Sequence, residues 1–185
     1  MDLPSLISSG EGQTTEFKES MSMEREAMEA LCSMVNADTA HGTVIFGITP
    51  DGDIYGVDPE VIDGATLSLS KTVKRSFDPP LKIEINAEVL NGKHLILITA
   101  QRQRSIPYHE YDGRVWIRHG SENRLLTLDE KDHLRKMRVR DLHEGPWICD
   151  RCGNWARQLE SSSVADGGRK RKYDCGCGGN FWPGR

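Results

Sequence analysis

The sequence predicts an α+β protein: a mixed β-sheet with packed helices, followed by a small zinc ribbon. Two observations carry that expectation. Segments of period-two and period-3.6 hydrophobicity follow one another over residues 1–140 in the order strand, helix, hairpin, helix, hairpin, strand, helix. Four of the five cysteines then crowd into residues 149–177, a pattern of metal ligation rather than of a core. A length of 185 residues suits one domain of ordinary size with an appendage. Two units are therefore expected, at 1–140 and 145–185.

The first strand is "TTEFK", residues 14–18. Alternation sends Thr14, Glu16 and Lys18 to one face and Thr15 and Phe17 to the other, with Phe17 as the core anchor. Residues 23–35 place Met23, Ala27, Ala30, Leu31, Met34 and Val35 at three- and four-residue intervals among Glu24, Arg25, Glu26 and Glu29, which is an amphipathic helix. Cys32 lies on its apolar face as a buried thiol. A hairpin follows, from Val44–Ile48 through a Pro-Asp-Gly turn to Ile54–Val57. Asp58 as N-cap with Pro59 behind it opens a second helix that turns Ile62, Ala65, Leu69 and Val73 inward. "LKIEINAEVLNGKHLILITA" supplies two strands joined by Asn91-Gly92, a pair suited to the positive φ angles of a type I′ turn. "RVWIRHG" is another strand, and Thr127 with Glu130 forms a capping box at the start of the last helix.

Residues 1–140 hold 17 Lys+Arg against 22 Asp+Glu, and residues 141–185 hold 7 against 6. An acidic body excludes a histone-like polycation but leaves room for local basic patches. Candidates are "KTVKR" (71–75), "RQR" (102–104), "RKMRVR" (135–140) and "RKRK" (169–172); each also reads as a solvated face. No run of about eighteen apolar residues occurs and no basic-then-apolar leader opens the chain, so a soluble, cytoplasmic protein without a membrane partner is expected. No G-x-x-x-x-G-K-[ST] loop supports ATP hydrolysis. His41, His109, His119 and His133 lack ligand spacing and read mostly as surface residues, with His119 beside Arg118 as a phosphate-contact alternative.

In a reducing compartment, clustered cysteines point to metal. Cys149 and Cys152 have the C-x2-C spacing that aims two thiolates at one ion, and Cys175 and Cys177 offer a second pair. Four thiolates close a tetrahedral Zn2+ site with no position left for a reactive water, so the zinc is structural and its binding energy becomes folding energy. A redox cluster is the alternative. Trp147, Trp155, Tyr173, Phe181 and Trp182 flank the ligands, either as a minimal apolar packing or as stacking surfaces for bases.

"GEGQTTEFKES", residues 10–20, concentrates Glu11, Glu16, Lys18 and Glu19. Glu11 and Glu16 stand an odd five positions apart, on opposite faces of a regular strand. They converge only if the chain bends between them, which Gly10 and Gly12 permit. Physics alone leaves two readings: a two-carboxylate site, or an exposed, partly paired strand edge.

"EGQTTEFKES", the helix ending in "MVNADTAHGTVIFGITPDGDIYGV" and the later "YDGRVWIRHGSENRLLT" together resemble the AlbA-like domain of Schlafen-type proteins, over roughly residues 5–135. That resemblance implies a nucleic-acid-binding fold, with RNA favoured over DNA. In some members it implies a divalent-metal-dependent endoribonuclease acting on structured RNA such as tRNA, through three carboxylates and a divalent ion. Position by position, Glu11 and Glu16 match the first two carboxylates and Lys18 the adjoining basic residue. Where nucleolytic relatives place acidic residues directly after the hairpin strand, this chain has Thr49 and Pro50, with Asp51 one position later. With Asp51 as the third group, Mg2+ or Mn2+ would polarise a phosphate while Lys18 offsets its growing charge. Arg118, Ser121 and Arg124 match the family's style. Arg118 and Arg124, with Arg169, Lys170, Arg171 and Lys172 in the tail, are the expected nucleic-acid contacts. Nucleolytic relatives pair two such lobes in one polypeptide to make a concave RNA cradle, which a homodimer of this single lobe would rebuild. The alternatives are a non-enzymatic DNA- or RNA-binding regulatory module and a protein-docking scaffold.

Overall fold

The computed structural model describes residues 2–144, 147–149 and 181–183, with side chains through residue 139. The chain divides into two units, Met1–His133 and Leu134–Arg185.

In the first unit, α1 (Leu3–Ser8) precedes β1 (Thr15–Lys18), α2 (Glu24–Asn36) and β2 (His41–Phe46). A single turn at Pro59–Val61 leads into α3 (Ile62–Ser76), then β3 (Phe77–Asp78), β4 (Ile83–Leu90) and β5 (Lys93–Gln101). Three short strands follow: β6 (Glu110–Tyr111), β7 (Trp116–His119) and β8 (Glu122–Leu125). The central sheet has the order β1-β2-β5-β4. Its β1–β2 pair is parallel, bridged through α2, and its other pairs are antiparallel. The sheet is therefore mixed, as the order of hydrophobic periods predicts.

Several local signals act as expected. Asp2 and Asp58 cap their turns through the amides of Ser5 and Glu60. Asn91 and Gly92 both take positive φ, 52° and 74°, and join β4 to β5 as a tight hairpin. Thr127 and Glu130 exchange the bonds of a capping box at the start of α4 (Leu128–Glu144). Glu130 accepts from the Thr127 amide and from Arg124, which holds its carboxyl down at about 2.

The register of β1 against β2 decides the burial of the charge cluster. Phe17 stands beside Ile45, while Glu16 and Lys18 stand beside Val44 and Phe46. Phe17 and Ile45 pack with Leu3, Ile48, Leu95 and Leu97 on the α1 side; burial of Phe17 alone contributes about 1.5–3 kcal/mol. Val44 and Phe46 face the larger core, formed with α2 and α3. Glu16 and Lys18 thus lie on the helix-covered side and are buried. Gly42 explains how closely α2 approaches: a Cβ there would stand 2.5 Å from Cβ of Met34. The buried Cys32 thiol lies on the same helix, its pKa raised by burial to about 12.

Three expectations are corrected. The hairpin after β2 shrinks to one bridge, Ile48 to Ile54, because Gly47 turns to φ 95° and its carbonyl accepts from both Tyr55 and Gly56. The strand at "RVWIRHG" has its own partner, β8. His109 is not a surface residue: it is 1% exposed, and its pKa is pushed below the usual value first by burial.

In the second unit, β9 (Trp147–Cys149) pairs antiparallel with β10 (Phe181–Pro183), setting Cys149 opposite Phe181. Cys152, Cys175, Cys177, Arg169, Lys170, Arg171 and Lys172 lie outside the described residues, as does the side chain of Cys149. Among the described residues no helix is long and apolar enough to cross a membrane.

Candidate functional site

β1 is an edge strand, and an edge presents a row of N–H and C=O groups that need partners. Its inner side is satisfied by β2, with the Thr43 amide donating to the Thr14 carbonyl at 2.9 Å and that of Gly47 to the Lys18 carbonyl at 2.7 Å. Its outer side is partly satisfied by the segment just before it. Gly10 takes φ 71° and the chain doubles back. The Gly12 amide then reaches the Thr15 carbonyl at 3.0 Å. Glu11 accepts the Phe17 amide through Oε1 at 2.8 Å. The glycine bend therefore occurs and returns Glu11 to the flank of β1, where its carboxylate serves a backbone N–H.

Glu16 and Lys18, two apart on one face, pair at 2.5 Å. The second carboxylate oxygen of Glu16 meets the guanidinium of Arg118 at 2.7 Å. Arg118 is 3% exposed. Its Nε donates to the Gly12 carbonyl at 3.0 Å, one Nη to the Thr15 carbonyl at 3.4 Å and the other to Oδ1 of Asn123 at 2.6 Å. Asn123 lies directly across the β7–β8 ladder from Arg118, and its oxygen also meets the Ser33 hydroxyl of α2. Gln13 completes the tie, donating to the Arg118 carbonyl and accepting from the Gly120 amide. One guanidinium thus locks the doubled-back segment, β1 and the β7–β8 hairpin together.

The predicted residues are in this way divided. Glu11, Glu16, Lys18 and Arg118 gather at the β1 edge, whereas Asp51 is exposed at the tip of the Thr49–Gly52 turn. Among the described residues no group of three or more His, Cys, Asp or Glu side chains could hold a metal ion. Both oxygens of Glu16 are engaged by cations, and Glu11 is engaged by an amide. This arrangement leaves one carboxylate oxygen, Oε2 of Glu11, without a partner among the described residues, too few for a divalent ion that takes about six oxygen ligands. Arg124 is half-exposed and paired with Glu130 at 2.7 Å.

Asn36, fully buried at the end of α2, was not foreseen. It accepts from the His109 amide at 2.9 Å and donates to the carbonyls of His109 and Trp116 at 2.8 and 3.0 Å. A polar residue closing an otherwise apolar helical stripe was the one available signal.

The family model described as Schlafen, AlbA_2 matches residues 11–127, from the doubled-back segment to the capping box of α4. The chain belongs to the Schlafen AlbA_2 family. Its similarity to solved structures concerns the fold. The crystal structure of the DIP2311 protein from Corynebacterium diphtheriae aligns with a TM-score of 0.52 at 16% identity, over 74% of this chain and 31% of that one. This chain therefore spans about a third of the length of that protein. The solution structure of the N-terminal domain of a putative ATP-dependent DNA helicase RecG-related protein from Nitrosomonas europaea aligns with a TM-score of 0.45 at 19% identity, over 67% of this chain and 92% of that domain. No curated protein matches the chain.

Proposed function

We propose that this Schlafen AlbA_2 lobe is a nucleic-acid-binding module, directed at RNA in preference to DNA, and that it acts by occupancy. The observation that carries this reading is the family match over residues 11–127. The geometry of the β1 edge favours binding over cleavage, because the carboxylates a nuclease would use to hold Mg2+ or Mn2+ are taken up as an edge cap and an ion pair. No cleavage step is assigned to them. Two copies of this single lobe would make a concave binding surface.

The experiment is a titration of the full chain with a tRNA transcript, a single-stranded DNA and a duplex DNA between about 50 and 200 mM salt, with and without Mn2+. Binding is expected to be tightest for RNA and to weaken linearly in log–log form with salt, since phosphate contacts release counterions. The RNA is expected to stay intact. Absence of binding at the lowest salt overturns the reading. Mn2+-dependent cleavage that disappears in Glu16→Gln would replace it with the nuclease.

The tail belongs to the same proposal, with Zn2+ held by Cys149, Cys152, Cys175 and Cys177. The β9–β10 pairing supports this by returning the chain end to Cys149, as a metal-stapled ribbon requires. Metal analysis is expected to find about one zinc per chain. Loss of that zinc is expected to raise the thiol titre by the four cysteines, and a zinc-free chain with the same tail chemical shifts would contradict it.

A further inference from the structure

Among the described residues, the basic stretch on α3 stands displayed and unengaged. "RQR" contributes Arg102, whose guanidinium donates to the carbonyls of Val35 and Ile106. Arg118 is locked to Glu16, Arg124 to Glu130, Lys131 to Glu110 and Arg25 to Glu29. "KTVKR" instead falls on α3, and its three cations are all exposed. Among the described residues none of the three has an ion-pair or hydrogen-bond partner.

Their placement follows from helical geometry. At about 100° per residue, Leu69 and Val73 point about 160° away from Lys71, and both are buried against the core. Lys74 and Arg75 fall within about 60° of Lys71, on the opposite, solvent side. The stripe continues upstream through Leu67, Ser68 and Gly64, all exposed, and a Cβ added at Gly64 would meet nothing within 4 Å. Lys74 and Arg75 occupy the last turn, where the helix dipole accounts for them. Lys71 lies before that turn and the dipole does not account for it.

Resting on the nucleic-acid reading above, we propose that the outer face of α3, through Lys71, Lys74 and Arg75, is the surface on which the phosphodiester backbone docks. Three unpaired cations on one stripe of an acidic protein form a local positive field, which attracts a polyanion. As exposed charges they are suited to phosphate contacts, which set affinity and position rather than sequence preference. A membrane-lying helix needs a broad apolar face, and on this stripe Leu67 is the one large apolar side chain.

The test compares the full chain with Lys71→Ala/Lys74→Ala/Arg75→Ala, checked for native circular dichroism, and with Lys82→Ala as a control outside the helix. The probes are the same tRNA transcript and duplex DNA, with phosphatidylserine vesicles in parallel. The triple variant is expected to bind at least about tenfold more weakly. Its slope of log affinity against log salt should flatten by about two to three, near 0.7–0.9 for each phosphate no longer neutralised. The control should match the parent chain. If the parent binds and the triple variant keeps both affinity and slope, the α3 assignment is overturned while the nucleic-acid reading stands. If the parent binds neither nucleic acid, the functional reading falls and the assignment falls with it. Retention on vesicles in preference to nucleic acid also overturns the assignment.

Discussion

Arg118→Ala is expected to lower the unfolding free energy by about 3–5 kcal/mol, the range for removing one partner of a buried ion pair. The magnitude follows from what the guanidinium leaves behind. Glu16, with a side chain only 10% exposed, would retain Lys18 alone. The Gly12 carbonyl would lose its Arg118 donor and Asn123 would lose a short charged bond. Arg118→Lys keeps the charge but not the fork, and should fall between the two, because an ammonium cannot span carboxylate, carbonyl and amide together. Chemical denaturation measures the loss, and hydrogen exchange at the Phe17 and Gly12 amides locates it. If Arg118→Ala unfolds within about 1 kcal/mol of the parent chain, well short of the buried-pair range, the guanidinium is not what anchors this edge.

Asn36→Ala is expected to cost about 3 kcal/mol or more, since each buried backbone group left without a partner costs about 1–3 kcal/mol. Two such groups depend on this side chain, the His109 amide and the Trp116 carbonyl, and the His109 carbonyl would keep only the weak Cys32 thiol donor at 3.4 Å. Asn36→Asp should be worse than its similar shape suggests, because it trades two donated bonds for a carboxylate facing two carbonyls. The local sign is faster exchange of the His109 amide, ahead of amides in β2 and β5. Unchanged protection there would mean that the segment after β5 is held to α2 by something other than Asn36.

Much of the scaffold was legible because its signals are local. Asn91-Gly92, Asp58-Pro59 and the Thr127–Glu130 box each complete their geometry within a few residues. The alternation of β1 correctly separated Phe17 from Glu16 and Lys18, because a two-residue period needs no knowledge of neighbours. α1 was overlooked although Asp2 and Pro4 carry an N-terminal signature; the helix has only six residues and almost no periodicity to count. The role of Arg118 was not legible. Its partners Gly12 and Thr15 lie 106 and 103 positions away, so a motif at "WIRHG" reads equally well as an outward cation. His109 was misjudged for the same reason: Asn36, 73 positions earlier, draws it inside. The bend at Gly10 was correctly permitted, yet only the fold shows that the returning carboxylate meets an amide.

The far side of the central sheet contrasts with this tied edge. β4 ends the strand order, and Glu84, Asn86 and Glu88 project from it into solvent along one face. A second chain attempting to extend the sheet there would have to bring its own acidic residues close to these, at an electrostatic penalty. One rim is thus tied to its own preceding loop and the other, among the described residues, is left bare but mutually repellent, two defences against runaway sheet growth at high concentration.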